Sequence, residues 1–182
     1  MRIDRRITKT QRAIQQSFVD LLSHKKINQV TVADIAKKAD IARSTFYLHY
    51  EDIYDLYEQI TDNLLSGLTN RFDRFYPIKP LASSFKNLMQ ELINYVAEQK
   101  QLFQVLFQKD SENKLTNHLT NLFTNRILKI EKISQYNKQA YFETLFTVTG
   151  AINIFVNWLM QDSDTEPHEL SNILNQIIMK LE

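Results

Sequence analysis

The chain has 182 residues, 43% of them hydrophobic and 24% charged, enough for one large domain or two small ones with a buried core. With no cysteine, two glycines and three prolines, it excludes disulfide frameworks, thiolate metal sites, cysteine nucleophiles and glycine-rich phosphate loops, and it disfavours folds of many short strands. The formal net charge of +1 conceals a division: residues 1–50 carry ten Lys or Arg against four Asp or Glu, and residues 51–182 carry twelve against seventeen, the pattern of a polyanion-binding head on an acidic body.

The expectation is therefore all-α. The basic start, residues 1–6, has no apolar stretch behind it and does not read as a signal peptide. The longest nearly apolar run, residues 150–160, is shorter than the ~18 residues a membrane span needs. A cytoplasmic protein with no membrane partner is expected.

Thr8-Lys9-Thr10-Gln11 has the form of a capping box, and Ile14, Phe18, Leu21 and Leu22 follow at helical spacing, which predicts a first helix over residues 8–24. Thr31 caps a second, with Asp34 reaching back and Val32, Ile35 and Ala36 on its buried side, running to Ala39. Asp40 and Ile41 interrupt the pattern, and residues 42–49 make a third short helix after a tight turn, which is a helix-turn-helix. From Asp52 on, Ile53, Leu56, Tyr57, Ile60, Leu64, Leu68 and Phe72 predict a long fourth helix over 52–75, roughly 30 Å of connector at ~1.5 Å per residue.

Tyr76-Pro77-Ile78-Lys79-Pro80 is the clearest break. Leu81, Phe85, Leu88, Leu92 and Val96 then predict a fifth helix, a short sixth follows over 102–107, and Leu115, Leu119, Leu122, Phe123 and Ile127 mark a seventh within 111–133. Next, Tyr141, Leu145, Val148, Ile152, Phe155 and Leu159 are spaced by three and four, with Phe142 and Phe146 adding a second apolar side. Gly150 costs this helix about 1 kcal/mol against alanine, which suggests the close approach of a neighbouring helix. After the polar stretch 162–167, Leu170, Ile173, Leu174, Ile177, Ile178 and Leu181 form the last stripe. Two such helices suit a four-helix bundle made across a two-fold axis, with Leu145, Ile152, Phe155, Leu159, Leu170, Ile173, Leu174 and Ile177 as candidate interface. Periodicity fits an ordinary intramolecular core equally well.

On the third helix Arg43, Ser44 and Tyr47 share one arc of about 100°. A recognition helix reads base edges near its amino terminus, and the donor fork of Arg43 suits guanine O6 and N7. Tyr47, His49 and the Thr31 hydroxyl suit phosphate oxygens, with Lys9, Lys37 and Lys38 extending that contact. The competing assignments are a core aromatic for Tyr47 and a satisfied buried histidine for His49.

Residues 8–68 resemble the DNA-binding head of the TetR (TetR/AcrR) family of transcriptional regulators. The likeness rests on Thr31-Val32-Ala33-Asp34-Ile35-Ala36, on Ala39-Asp40-Ile41-Ala42-Arg43-Ser44-Thr45-Phe46-Tyr47-Leu48-His49-Tyr50, and on Tyr54-Asp55-Leu56. That last segment and the Asn-rich body look like the DhaS-type branch of the family. The resemblance implies an all-α fold of about nine helices: a helix-turn-helix domain over 1–50, the connecting helix, and a helical effector-binding and dimerisation domain over 51–182 that pairs through its last two helices. It assigns base reading to Ala42, Arg43 and Ser44, backbone contacts to Thr31, Thr45, Tyr47 and His49, and core positions to Phe46 and Tyr50. Asp40 stands where the family commonly has glycine, in a turn that aspartate tolerates because its short polar side chain admits a left-handed conformation. Ile53 stands where the family usually has a phosphate-contacting lysine.

Fourteen of the twenty aromatics lie beyond residue 70, so the body has material for an apolar cavity, with Phe85, Phe103, Phe107, Phe123, Tyr141, Phe142 and Phe146 as candidate lining or as plain packing. The resemblance implies a repressor that binds double-stranded DNA as a homodimer on a palindromic operator and is released by a small-molecule effector. A protein co-regulator acting on the body, with activation as the output, is the alternative. An enzyme finds little support: His24, His49, His118 and His168 are scattered, with no catalytic or metal-ligand spacing and no cofactor motif. A purely structural dimer leaves the basic head unexplained.

Overall fold

A computed structural model of the chain describes residues 5–76, 82–108, 112–134, 136–161 and 164–181. The described residues form nine α-helices and no strand, as the composition demands. They fall into two compact units that divide between Ser66 and Gly67, inside the fourth helix.

In the first unit, α1 (Arg5–Leu22), α2 (Val32–Lys38) and α3 (Arg43–Tyr47) precede α4 (Ile53–Phe75). Ile14, Phe18 and Leu22 are buried at four-residue steps along α1, which packs on α2, and α2 packs on α3. Ile35, Ala36, Phe46, Tyr50, Leu56 and Ile60 complete this core. A short 3-10 turn, Ile27–Gln29, unmarked by glycine or proline, returns the chain so that Val30 is buried before α2 begins. The third helix is shorter than its predicted span, because the N–H groups of His49 and Tyr50 both donate to the Phe46 carbonyl, at 2.9 and 3.1 Å, and close the last turn.

The second unit holds the rest of α4 with α5 (Ala82–Glu98), α6 (Lys100–Gln108), α7 (Lys114–Ile130), α8 (Lys138–Met160) and α9 (Pro167–Leu181). α9 lies along α5, and α8 packs on α7 and α6. Ile93 of α5 meets Leu170 and Leu174 of α9, with Met89, Phe155 and Trp158 against them. Gln104 donates to the Leu159 carbonyl at 2.9 Å, and the Trp158 indole to the Thr165 carbonyl at 2.8 Å, which fixes the carboxyl-terminal end of α8.

Gly150 does not meet a neighbouring helix. A Cβ placed there has nothing within 4 Å, since α8 packs through Val148 and Ile152 and leaves Gly150 exposed. The close approach occurs instead at Gly67 of α4, against Tyr95 of α5. Residues 1–4, the break at 77–80, Leu81, Ser111 and residues 162–163 lie outside the described residues.

Candidate nucleic-acid interface

The site is built from the capping chemistry upward. The Thr31 hydroxyl accepts from the Asp34 N–H at 3.1 Å, and the Asp34 carboxylate accepts from the Thr31 N–H at 3.3 Å, which satisfies the free donors at the start of α2. Hydrogen bonds from the Thr31 side chain and then its backbone, with a smaller effect of the Lys25 ammonium at 3.4 Å, hold the Asp34 carboxyl below its ordinary value.

At the other end of α2, Asp40 takes a left-handed conformation with φ 53°. The Ile41 N–H then donates to the Ala36 carbonyl at 3.0 Å and the Asp40 N–H to the Lys37 carbonyl at 3.4 Å, the two bonds of a Schellman stop. An aspartate thus performs the turn usually given to glycine, and Ala42, two residues later, is the cap from which α3 starts.

Phe46 is fully buried and anchors α3. Ala42, Arg43 and Ser44 are exposed on its amino-terminal side, and Thr45 and His49 are half-buried. The Tyr47 ring meets the Phe46 ring edge-on, with centroids 5.6 Å apart, and is 58% exposed, so it is no core aromatic. Tyr50 is buried with its hydroxyl accepting from Gln15 Nε2 at 3.3 Å, and burial pushes its pKa up. Around this surface Thr31, Lys9 and Lys37 are exposed, whereas the Lys38 ammonium lies 3.4 Å from Asp20. Two exposed side chains here escaped the sequence reading: Leu48, 81% exposed beside Tyr47, and Tyr54 in the first turn of α4. An apolar residue on an otherwise polar arc was the available signal for Leu48. Asp52 accepts from the N–H groups of Tyr54 and Asp55 at 2.7 and 2.9 Å and caps α4, leaving Ile53 half-buried at its first position.

The second unit encloses a cavity of about 480 Å³, within the usual range for small-molecule sites. Of the aromatics named from sequence, Phe85 and Phe123 line it; Phe103 and Phe107 are buried away from it, and Tyr141 does not reach it. Leu68 of α4 and Leu88 and Val96 of α5 are walls that the aromatic count could not name, and Phe72 of α4 is an aromatic wall left out of the named set. Phe142 and Phe146 are 62% and 67% exposed along a shallow groove of α8 with Leu145, Thr149, Gly150 and Asn153. Of the candidate interface residues, Ile152 and Leu159 are buried within the subunit because α8 packs on α7 and α6, and Leu170 and Leu174 because α9 turns that side onto α5. Leu145 and Phe155 are half-buried, and Ile173 and Ile177 are exposed. No helix among the described residues is long and apolar enough to cross a membrane.

Residues 19–60 match the family described as bacterial regulatory proteins, tetR family, and residues 83–180 match a transcriptional regulator C-terminal region. The dhaKLM operon transcriptional activator DhaS of Lactococcus lactis is 28% identical over 130 residues, 70% of this chain and 66% of the relative. The uncharacterized regulator YxbF of Bacillus subtilis is 22% identical over 170 residues, 91% of this chain. The chain spans only 43% of the length of YxbF. Among solved structures, the dihydroxyacetone kinase operon activator DhaS superposes with a TM-score of 0.66 at 21% identity, covering 94% of both chains. A TetR-like regulator from Rhodococcus sp. RHA1 gives a TM-score of 0.67 at 15% identity, covering 98% of this chain and 97% of that one. A helix-turn-helix stopped by Asp40, the fold and both family matches lead to one assignment: the chain belongs to the TetR family of DNA-binding transcriptional regulators.

Proposed function

We propose that this regulator is a cytoplasmic homodimeric repressor in which α3 of each copy reads one half-site of a palindromic operator, and that a small molecule in the body cavity releases it. The base contacts fall to Ala42, Arg43 and Ser44, and the phosphate contacts to Lys9, Thr31, Lys38, Thr45, Tyr47 and His49. The observation that carries the reading is the solvent-facing start of α3, where Arg43 stands free between two small residues. The exposed apolar groove of Phe142 and Phe146 on α8, with exposed Ile173 and Ile177 on α9, supports association with a second copy.

The cavity supports effector control because Leu68 and Phe72, two of its walls, belong to the same helix that begins at Ile53 in the head. An effector acts only by favouring the state that does not fit DNA. Half-sites lie about 34–36 Å apart, so a change of a few Å between two recognition helices breaks register. The likeness to DhaS, which is named an activator, supports a second reading in which the output is activation; control of the body by a protein co-regulator is the alternative to a small molecule.

The test is fluorescence anisotropy with DNA from upstream of the coding region against a shuffled sequence as salt is raised. Preference for the upstream fragment that disappears in Arg43→Ala supports the reading. Equal affinity for both, unchanged in Arg43→Ala, refutes base reading by α3.

A further inference from the structure

We infer that the cavity of the second unit takes a lipophilic cation, an apolar body ending in an ammonium-type head; this rests on the reading of that unit as a ligand-binding one. Its walls are apolar except for two hydroxyl-bearing threonines, Tyr76 and two carboxylates, Glu131 and Glu143. Among the described residues no Lys, Arg or His lines it. Among the described residues neither carboxylate is in an ion pair.

Both carboxylates are held in place and reach solvent, at the edge of the cavity rather than in its depth. The Tyr76 hydroxyl donates to Glu131 Oε1, and Gln139 Nε2 donates to Glu143 at 2.9 Å. Glu131 also caps the carboxyl-terminal end of α7, where the helix dipole adds partial negative charge.

Behind Glu131 the aromatics are linked ring to ring. Phe72 lies 4.9 Å from both Tyr76 and Phe123, and Phe85 meets Tyr76 edge-on at 5.9 Å. Aromatic faces beside a carboxylate attract a cation through the ring quadrupole and the full charge together. An anionic amphiphile would bring its charge to two carboxylates with no cation to answer it. A neutral one would gain only from the walls.

Three probes with one apolar chain separate these cases: decyltrimethylammonium, decan-1-ol and decanoate, each below its micellar concentration. Binding is followed by calorimetry and by the fluorescence of Trp158, the one tryptophan of the chain, whose ring lies 6.2 Å from that of the cavity residue Phe155. The cation should bind at least about tenfold tighter than the alcohol, a difference of ~1.4 kcal/mol, and decanoate weakest. In Glu131→Gln/Glu143→Gln the cation should fall to the level of the alcohol, with alcohol binding unchanged. Ala151→Trp, which takes up part of the cavity, should weaken binding of all three in calorimetry.

Decanoate binding as tightly as the cation overturns the inference while leaving a ligand-binding body intact. So does a cation preference that survives the double substitution, or binding that Ala151→Trp leaves unchanged. If none of the three binds the parent chain, the inference and the ligand-binding reading both fail.

Discussion

The Tyr95 ring fills the space beside Gly67 where a side chain would begin. That ring cannot easily retreat, because Arg71 lies 3.9 Å over its face and Phe103 meets its edge at 5.9 Å. Alanine at position 67 would gain about 1 kcal/mol of helix propensity, but overpacking against a pinned ring costs roughly 1–3 kcal/mol. Gly67→Ala should therefore lower the unfolding temperature of the second unit in calorimetry. In Gly67→Ala/Tyr95→Ala the cost should be less than the sum of the two single changes, since the colliding group is gone.

Arg43 is the side chain on which discrimination between base sequences should depend most. Loss of a bidentate base contact costs about 1–3 kcal/mol, so Arg43→Ala should lower affinity for the preferred site some ten- to hundredfold. Affinity for shuffled DNA should change far less. Anisotropy titrations with single-base variants of the site would show the preference flattening at one position of each half-site.

Ile53 is half-buried at the first position of α4, where no positive charge is offered to a phosphate. Each neutralised phosphate contributes a slope of about −0.9 to the dependence of log K on log salt. Ile53→Lys should tighten binding to every DNA sequence at low salt and steepen that slope by about one contact. The same titration at several salt concentrations, with specific and shuffled duplexes, checks it.

Asp34 links the head to acidity. Its carboxyl is held below its ordinary value by the hydrogen bonds from Thr31 and, to a lesser extent, by Lys25. A carboxyl depressed on folding contributes stability above its unfolded value, about 3.9, and loses it as pH falls through the folded value. Asp34→Asn should thus weaken the head at neutral pH, and the gap from the parent should close as pH falls below about 4. Chemical denaturation followed by circular dichroism across that window would measure it.

Phe146 is the most exposed phenylalanine on the groove of α8. If the proposed homodimer pairs through this groove, Phe146→Glu should give a monomer in sedimentation, with little loss of helicity, and should weaken operator binding because two half-sites are no longer held together. A variant that stays dimeric with a carboxylate there would remove this face from the interface.

The head was legible because its determinants are local. Thr31 and Asp34 sit three apart in a capping box, Asp40 can adopt the left-handed turn, and Phe46 and Tyr50 are four apart on the buried side of a tight unit. The body was less legible because α8 is apolar on two faces, and periodicity alone cannot say which face its own chain covers. α9 lying along α5 decided that Leu170 and Leu174 turn inward while Ile173 and Ile177 stay out. The cavity was hidden for a related reason. Its walls come from aliphatic and aromatic residues of several helices, and Phe103, as apolar as Phe85, packs elsewhere. The acidic edge at Glu131 and Glu143 joins two helices that only tertiary packing sets side by side.

Gly150 stands in the middle of a 23-residue helix with open space where its side chain would be. Judged on the lone subunit, alanine would be better there by about 1 kcal/mol and would disturb no neighbour. A screen that rewards heat resistance of the isolated chain would therefore enrich Gly150→Ala, and would put a methyl group into the groove that the proposed second copy would cover. In the proposed homodimer, tolerance to heat and capacity to assemble would be set in opposition at a single position.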